Sequence, residues 1–70
     1  MSLPEGAVDI FYVNWKGTAS WRHILPRRLY YGSNSFHTEP QWLLEALDLD
    51  KNESRDFAMQ HIHHWRVRDF

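Results

Sequence analysis

Apolar positions along the chain fall into short runs, alternating or continuous, separated by polar, turn-forming stretches. Val8 to Val13 is rich in β-branched and aromatic residues, which suit a pleated, half-buried surface, and is the clearest strand. Asn14 to Thr18 predicts a tight turn, with Gly17 supplying the positive φ that a hairpin connection needs. A second strand starts near Ala19 and runs to Leu25. Pro26, which has no N–H, is expected to interrupt the ladder or confine it to an edge. Arg27 to Tyr31 resumes an extended aromatic pattern, and the Gly-, Ser-, Asn- and Pro-rich segment from Gly32 to Pro40 reads as a surface loop.

Gln41 to Leu49 is the most continuous apolar run, and it admits two readings. Thr38 stands as an N-cap, Pro40 in a first turn and Gln41 at the capping-box position, after which Trp42, Leu43, Ala46 and Leu47 share a face at 3.6 spacing. The same run, flanked by loops, also reads as a strand apolar on both faces, and periodicity does not separate the two. Asp48 to Ser54 is a polar turn. Asp48, Asp50 and Asn52 have the spacing of the first ligands of a calcium loop, but Glu53 stands where the bend needs glycine and Met59 where the bidentate acid belongs, so calcium is rejected. Arg55 to Met59 alternates polar and apolar and predicts a strand paired across that turn. The tail, with apolar residues at Ile62, Trp65 and Phe70, predicts a short helical turn or extension with a frayed end.

A chain of 70 residues makes one domain and lies near the lower limit for folding alone. It has no cysteine, so neither a disulfide framework nor the usual zinc staple supports it. Four Trp, three Tyr and four Phe are the remaining source of core, and the apolar surface they leave over points to self-association, most simply a homodimer. A formal net charge of −1 argues against a nonspecific nucleic-acid coat, which would be strongly basic. With no run of about 18 apolar residues and no secretory pattern at the N-terminus, the chain is expected to be cytoplasmic, with no membrane contact.

One ordered set of residues resembles a known family. Ile10-x-Tyr12, Gly17, Arg22-x-Ile24-x-Pro26, Leu29, Trp42-Leu43-Leu44-x-Ala46 and Arg55-x-Phe57-x-Met59-x-x-Ile62 are similar in order and spacing to the WYL domain of bacterial regulators, over a core of about residues 8 to 62 of a single domain, 1 to 70. The sequence departs from that pattern in three places. Leu43 replaces the family's Tyr, the loop before Trp42 is long, and His61 stands where an Arg is usual. The resemblance implies a mainly β fold, a small SH3- or Sm-like β-barrel of about five strands, and so favours strand at Gln41 to Leu49. It also implies a ligand-sensing role in transcription regulation, with a nucleotide or short single-stranded nucleic acid as effector and a partner protein to supply the effector domain. No helix-turn-helix pattern fits before Val8, so a self-contained DNA-binding regulator is not expected.

The resemblance and the residue chemistry together select Arg22 and Arg55 for an anionic ligand, His61 in support, and Tyr12 and Trp42 as aromatic walls, since guanidinium forks suit phosphate and aromatic faces suit bases. The competing reading makes these arginines cross-strand partners of Glu45, Asp48 or Asp56, as surface arginines commonly are. His37, His61, His63 and His64 lack a Cys or clear carboxylate partner, so no metal or cofactor is expected. The spread-out cations Lys16, Arg27, Arg28, Arg66 and Arg68 read more simply as solubilising than as a basic patch. Ser33, Ser35 and His37 share a loop without an acid or an oxyanion hole, so no enzyme chemistry is expected.

Overall fold

The computed structural model describes residues 6–67 and contains five strands, β1 (Val8–Val13), β2 (Ala19–Gly32), β3 (Gln41–Asp48), β4 (Glu53–Ala58) and β5 (Ile62–Val67). They form one antiparallel sheet in the order β4-β3-β2-β1-β5. The protein is therefore mainly β, and Gln41 to Asp48 is a strand despite its local helix signals. What overrides them is a partner on each side: Leu44 stands opposite Leu29 of β2 and Phe57 of β4. Alternate residues Leu44, Ala46 and Asp48 are buried on one face.

β2 is long because it serves two ladders. Ala19 to Ile24 pairs with β1, and Ile24 to Gly32 pairs with β3. Pro26 lies within an unbroken strand, but where β2 has β3 on one side and, among the described residues, no strand on the other, so it stands on a local edge, as expected. It lies beyond the last β1 pair, Val8 with Ile24, so its missing N–H breaks no β1 bond, and the β3 register shifts between Pro26 and Arg28. Where the two ladders meet, Ile24 is fully buried and packs with Val8, Ile10, Tyr12, Leu44, Ala46 and Phe57. Met59 and Ile62 close the cluster from one end.

The turns follow from their residues. Asn14 Oδ1 accepts the N–H groups of Lys16 and Thr18, and Gly17 adopts φ +82°. Asp48 Oδ1 accepts from the N–H groups of Asp50 and Lys51, and Asn52 takes φ +54°, so the spacing that imitates a calcium loop is turn chemistry. The strand expected over Arg55 to Met59 is instead Glu53–Ala58. The Tyr12 hydroxyl accepts the Ala58 N–H at 3.1 Å at the end of the β3 ladder, and Met59–His61 forms a 3-10 turn. The tail after that turn is a strand along β1, with a register shift between Phe11 and Tyr12. The expected fraying and Phe70 lie outside the described residues. Among the described residues no helix is long and apolar enough to cross a membrane.

Asp9 ties three strands together. It is 2% exposed, accepts from His23 Nδ1 at 2.6 Å, and pairs through its other oxygen with Arg66 at 3.1 Å. The Arg66 guanidinium in turn stacks on Trp21, 4.4 Å from the ring centre.

Candidate functional site

The sheet leaves a groove of about 720 Å³ beside the β3-β4 turn and the loop that follows β2. Strand alternation delivers its floor. Tyr12 from β1, Arg22 from β2 and Arg55 and Phe57 from β4 all line it, and Tyr12 meets Phe57 edge to face at 5.0 Å. Lys51 enters from the β3-β4 turn that Asp48 shapes. Trp15, at the tip of the β1-β2 turn, and Phe36, in the 33–40 loop, complete the rim, each 89% exposed.

The loop is not a loose flap. Asn34 Oδ1 accepts the N–H groups of Phe36 and His37, while its Nδ2 donates to the Asp56 carboxylate at 3.2 Å. His37 Nε2 lies 3.1 Å from the Asp56 carbonyl, which can only accept, so the proton is on Nε2. The long loop is thereby fixed against β4, and Phe36 is presented by a held backbone.

Three cations, Arg22, Lys51 and Arg55, share this groove with one carboxylate, Asp56. Arg22 is the most enclosed. Its side chain is 22% exposed, its nearest described acid is Asp48 at 3.9 Å, beyond hydrogen-bond distance, and its Nε is buried without a hydrogen-bond partner. Arg55 pairs with Glu53, its neighbour two residues back on the same strand, at 2.9 Å. Both groups are substantially exposed, so that pair holds Arg55 weakly. Tyr12 has its pKa raised above 10.0 by burial, an effect opposed by the Ala58 N–H and the Arg22 charge. Because its oxygen accepts from Ala58, its O–H is left to donate.

Of the five residues selected from sequence, the fold brings Tyr12, Arg22 and Arg55 together and places the other two elsewhere. Trp42 is 54% exposed on β3 and meets Tyr31 of β2 edge to face at 5.4 Å. His61 sits on the 3-10 turn, against the Tyr12 ring at 6.4 Å but outside the groove lining. The aromatic groups at the groove rim are Trp15 and Phe36, which sequence reasoning assigned to turn and loop without a role. The available signal was a large aromatic inside each polar, turn-forming stretch, where no core would need it. Among the described residues no cluster of three or more metal-ligating side chains occurs. No protein-family model, curated protein or solved structure matches the chain.

Proposed function

We propose that the chain is a ligand-sensing module whose groove binds an anionic, nucleotide-like molecule, a nucleotide or a short single-stranded oligonucleotide. The observation that carries it is the convergence of Arg22, Lys51 and Arg55 with two almost fully exposed aromatic side chains, Trp15 and Phe36, on one groove. Cations that track phosphate beside faces on which bases stack are the usual composition of a single-strand site. Arg22 adds a donor whose burial is uncompensated within the described protein. The strand order β4-β3-β2-β1-β5, with a long β2 whose two halves pair with different neighbours, is compatible with an SH3- or Sm-like barrel. With the ordered residue pattern, that supports a WYL-like sensor acting with a partner that carries the effector domain.

Titration with nucleotides and short single-stranded oligonucleotides, followed by Trp fluorescence and thermal shift, tests this. Binding should raise the melting temperature by mass action. It should weaken with salt at a log–log slope of roughly −0.7 per phosphate neutralised. Arg22→Ala and Arg55→Ala should each cost about 1.5–3 kcal/mol of affinity, with Lys at either position recovering only part. If both alanine variants lower the melting temperature but leave affinity and salt slope untouched, the arginines are structural. A second reading, a protein-interaction domain without a small ligand, is favoured by the exposed Leu29, Tyr31 and Trp42 on the β2-β3 arm away from the groove. No thermal shift with any nucleotide or oligonucleotide, together with loss of partner binding in Trp42→Ala, would select it.

A further inference from the structure

The two ends of the sheet differ. At the β4 end, Asp56 stands opposite Glu45 of β3, and its carbonyl is taken by His37 while its carboxylate is taken by Asn34. A strand residue directs its N–H and C=O to the same side, so the 33–40 loop occupies the outward side of β4. That is one of the ways in which proteins protect an edge. At the β5 end no such cover exists among the described residues. β5 pairs with β1 alone, and His63 to Val67 are all exposed.

β5 is also two-faced. Trp65 and Val67 stand opposite Ile10 and Val8, residues of the core cluster, whereas His64 and Arg66 stand opposite Phe11 and Asp9. Trp65 is 45% exposed and Val67 69%, so among the described residues the core face runs out to the edge without a neighbour to finish it. A strand added there must have the same alternation, apolar on that face and polar on the other. β5 itself has it.

We infer that β5 is a homodimer interface, in which the β5 strands of two copies pair antiparallel about a two-fold axis perpendicular to the sheet. Such an axis keeps each face on its own side, so the two cores meet along one face. A head-to-tail pairing of β5 with β4 is disfavoured by the loop over β4, which leaves the closed, isologous arrangement rather than a filament. The register centred on Trp65 places Trp65 against its symmetry mate and His64 against Arg66 of the second copy. The register centred on Arg66 would oppose two guanidinium groups and is disfavoured. This interface is independent of the groove.

Light scattering and sedimentation at concentrations up to about 100 μM, well above the micromolar dissociation constants of weak interfaces, provide the test. The unmodified chain should have twice the chain mass. Trp65→Lys, which opposes two ammonium groups at the axis, should be monomeric with an unchanged circular dichroism spectrum. Trp42→Lys, on the other exposed aromatic patch, should remain dimeric. Because the chain has no cysteine, Trp65→Cys gives a second readout that does not depend on the charged variant folding. It should form an intermolecular disulfide on mild oxidation, while His64→Cys, two residues out of register with its own mate and beyond the roughly 7 Å reach of a disulfide, should not. A monomer at every concentration overturns the proposal. So does a Trp65→Lys dimer, or cross-linking of His64→Cys as efficient as that of Trp65→Cys.

Discussion

Tyr12 joins the core to the groove: its ring packs on Phe57, and its oxygen takes the N–H that ends β4. Tyr12→Phe keeps the ring but leaves a buried N–H unpaired, so urea denaturation should show a loss of about 1–3 kcal/mol. The same residue sets an alkaline limit. Its folded pKa is raised above the unfolded 10.0, so the native state holds the proton more tightly. The stability this contributes is complete below pH 10 and is lost as the pH rises further. Stability measured against pH should therefore fall more steeply above pH 10 in the unmodified chain than in Tyr12→Phe. At the rim, Trp15→Ala or Phe36→Ala should each weaken oligonucleotide binding by about 1–3 kcal/mol, the usual value of a stacked base, while Trp42→Ala should leave it unchanged. Two of the three groove cations, Arg22 and Arg55, were picked out in the sequence by the ordered residue pattern and by guanidinium chemistry, whereas Lys51 read only as part of a polar turn. The aromatic part of the groove was not legible. Which loop residue faces a groove depends on how Asn14 and Asn34 fold their turns, and no periodicity reports that.

Among the elements, turns and strands were unequally legible. The Asn14 to Thr18 turn follows from local chemistry, and its glycine is required by the backbone alone. A Cβ at Gly17 would meet nothing within 4 Å, but φ is +82°. Gly17→Ala should therefore cost about 1–2 kcal/mol, read by chemical denaturation, entirely through the left-handed backbone. β3 shows the opposite case. Thr38, Pro40 and Gln41 form a sound helix start by local rules, yet strands on both sides prevail because pairing with β2 and β4 is non-local. Pro26 correctly marked a local edge and a ladder irregularity, although sequence does not show that the strand continues past it or that the β1 ladder ends two residues before it. β5 was only a tail to sequence reasoning. Its apolar residues do not alternate strictly until the shift in register at Phe11 and Tyr12 is known.

For the molecule as a whole, the feature with the widest reach is Asp9, buried beneath His23 and Arg66. Asp9→Ala should destabilise the whole sheet by about 1.5–3 kcal/mol in a denaturation experiment, because it releases His23 and Arg66 from the buried carboxylate that joins their strands. The Asp9 to Arg66 contact spans 57 positions, and all of β5 depends on β1, near the other end of the described chain. During synthesis on a ribosome, then, β1 emerges before β5 and lacks its second neighbour until residue Val67 has left the exit tunnel. Until that moment the nascent chain can hold the β1-to-β4 meander but not its full hydrogen-bonded sheet. Such closure between distant segments is the slow kind, in the millisecond-to-second class of β topologies, and it leaves one side of β1 an unpaired edge for longer than its pairing with β2 requires.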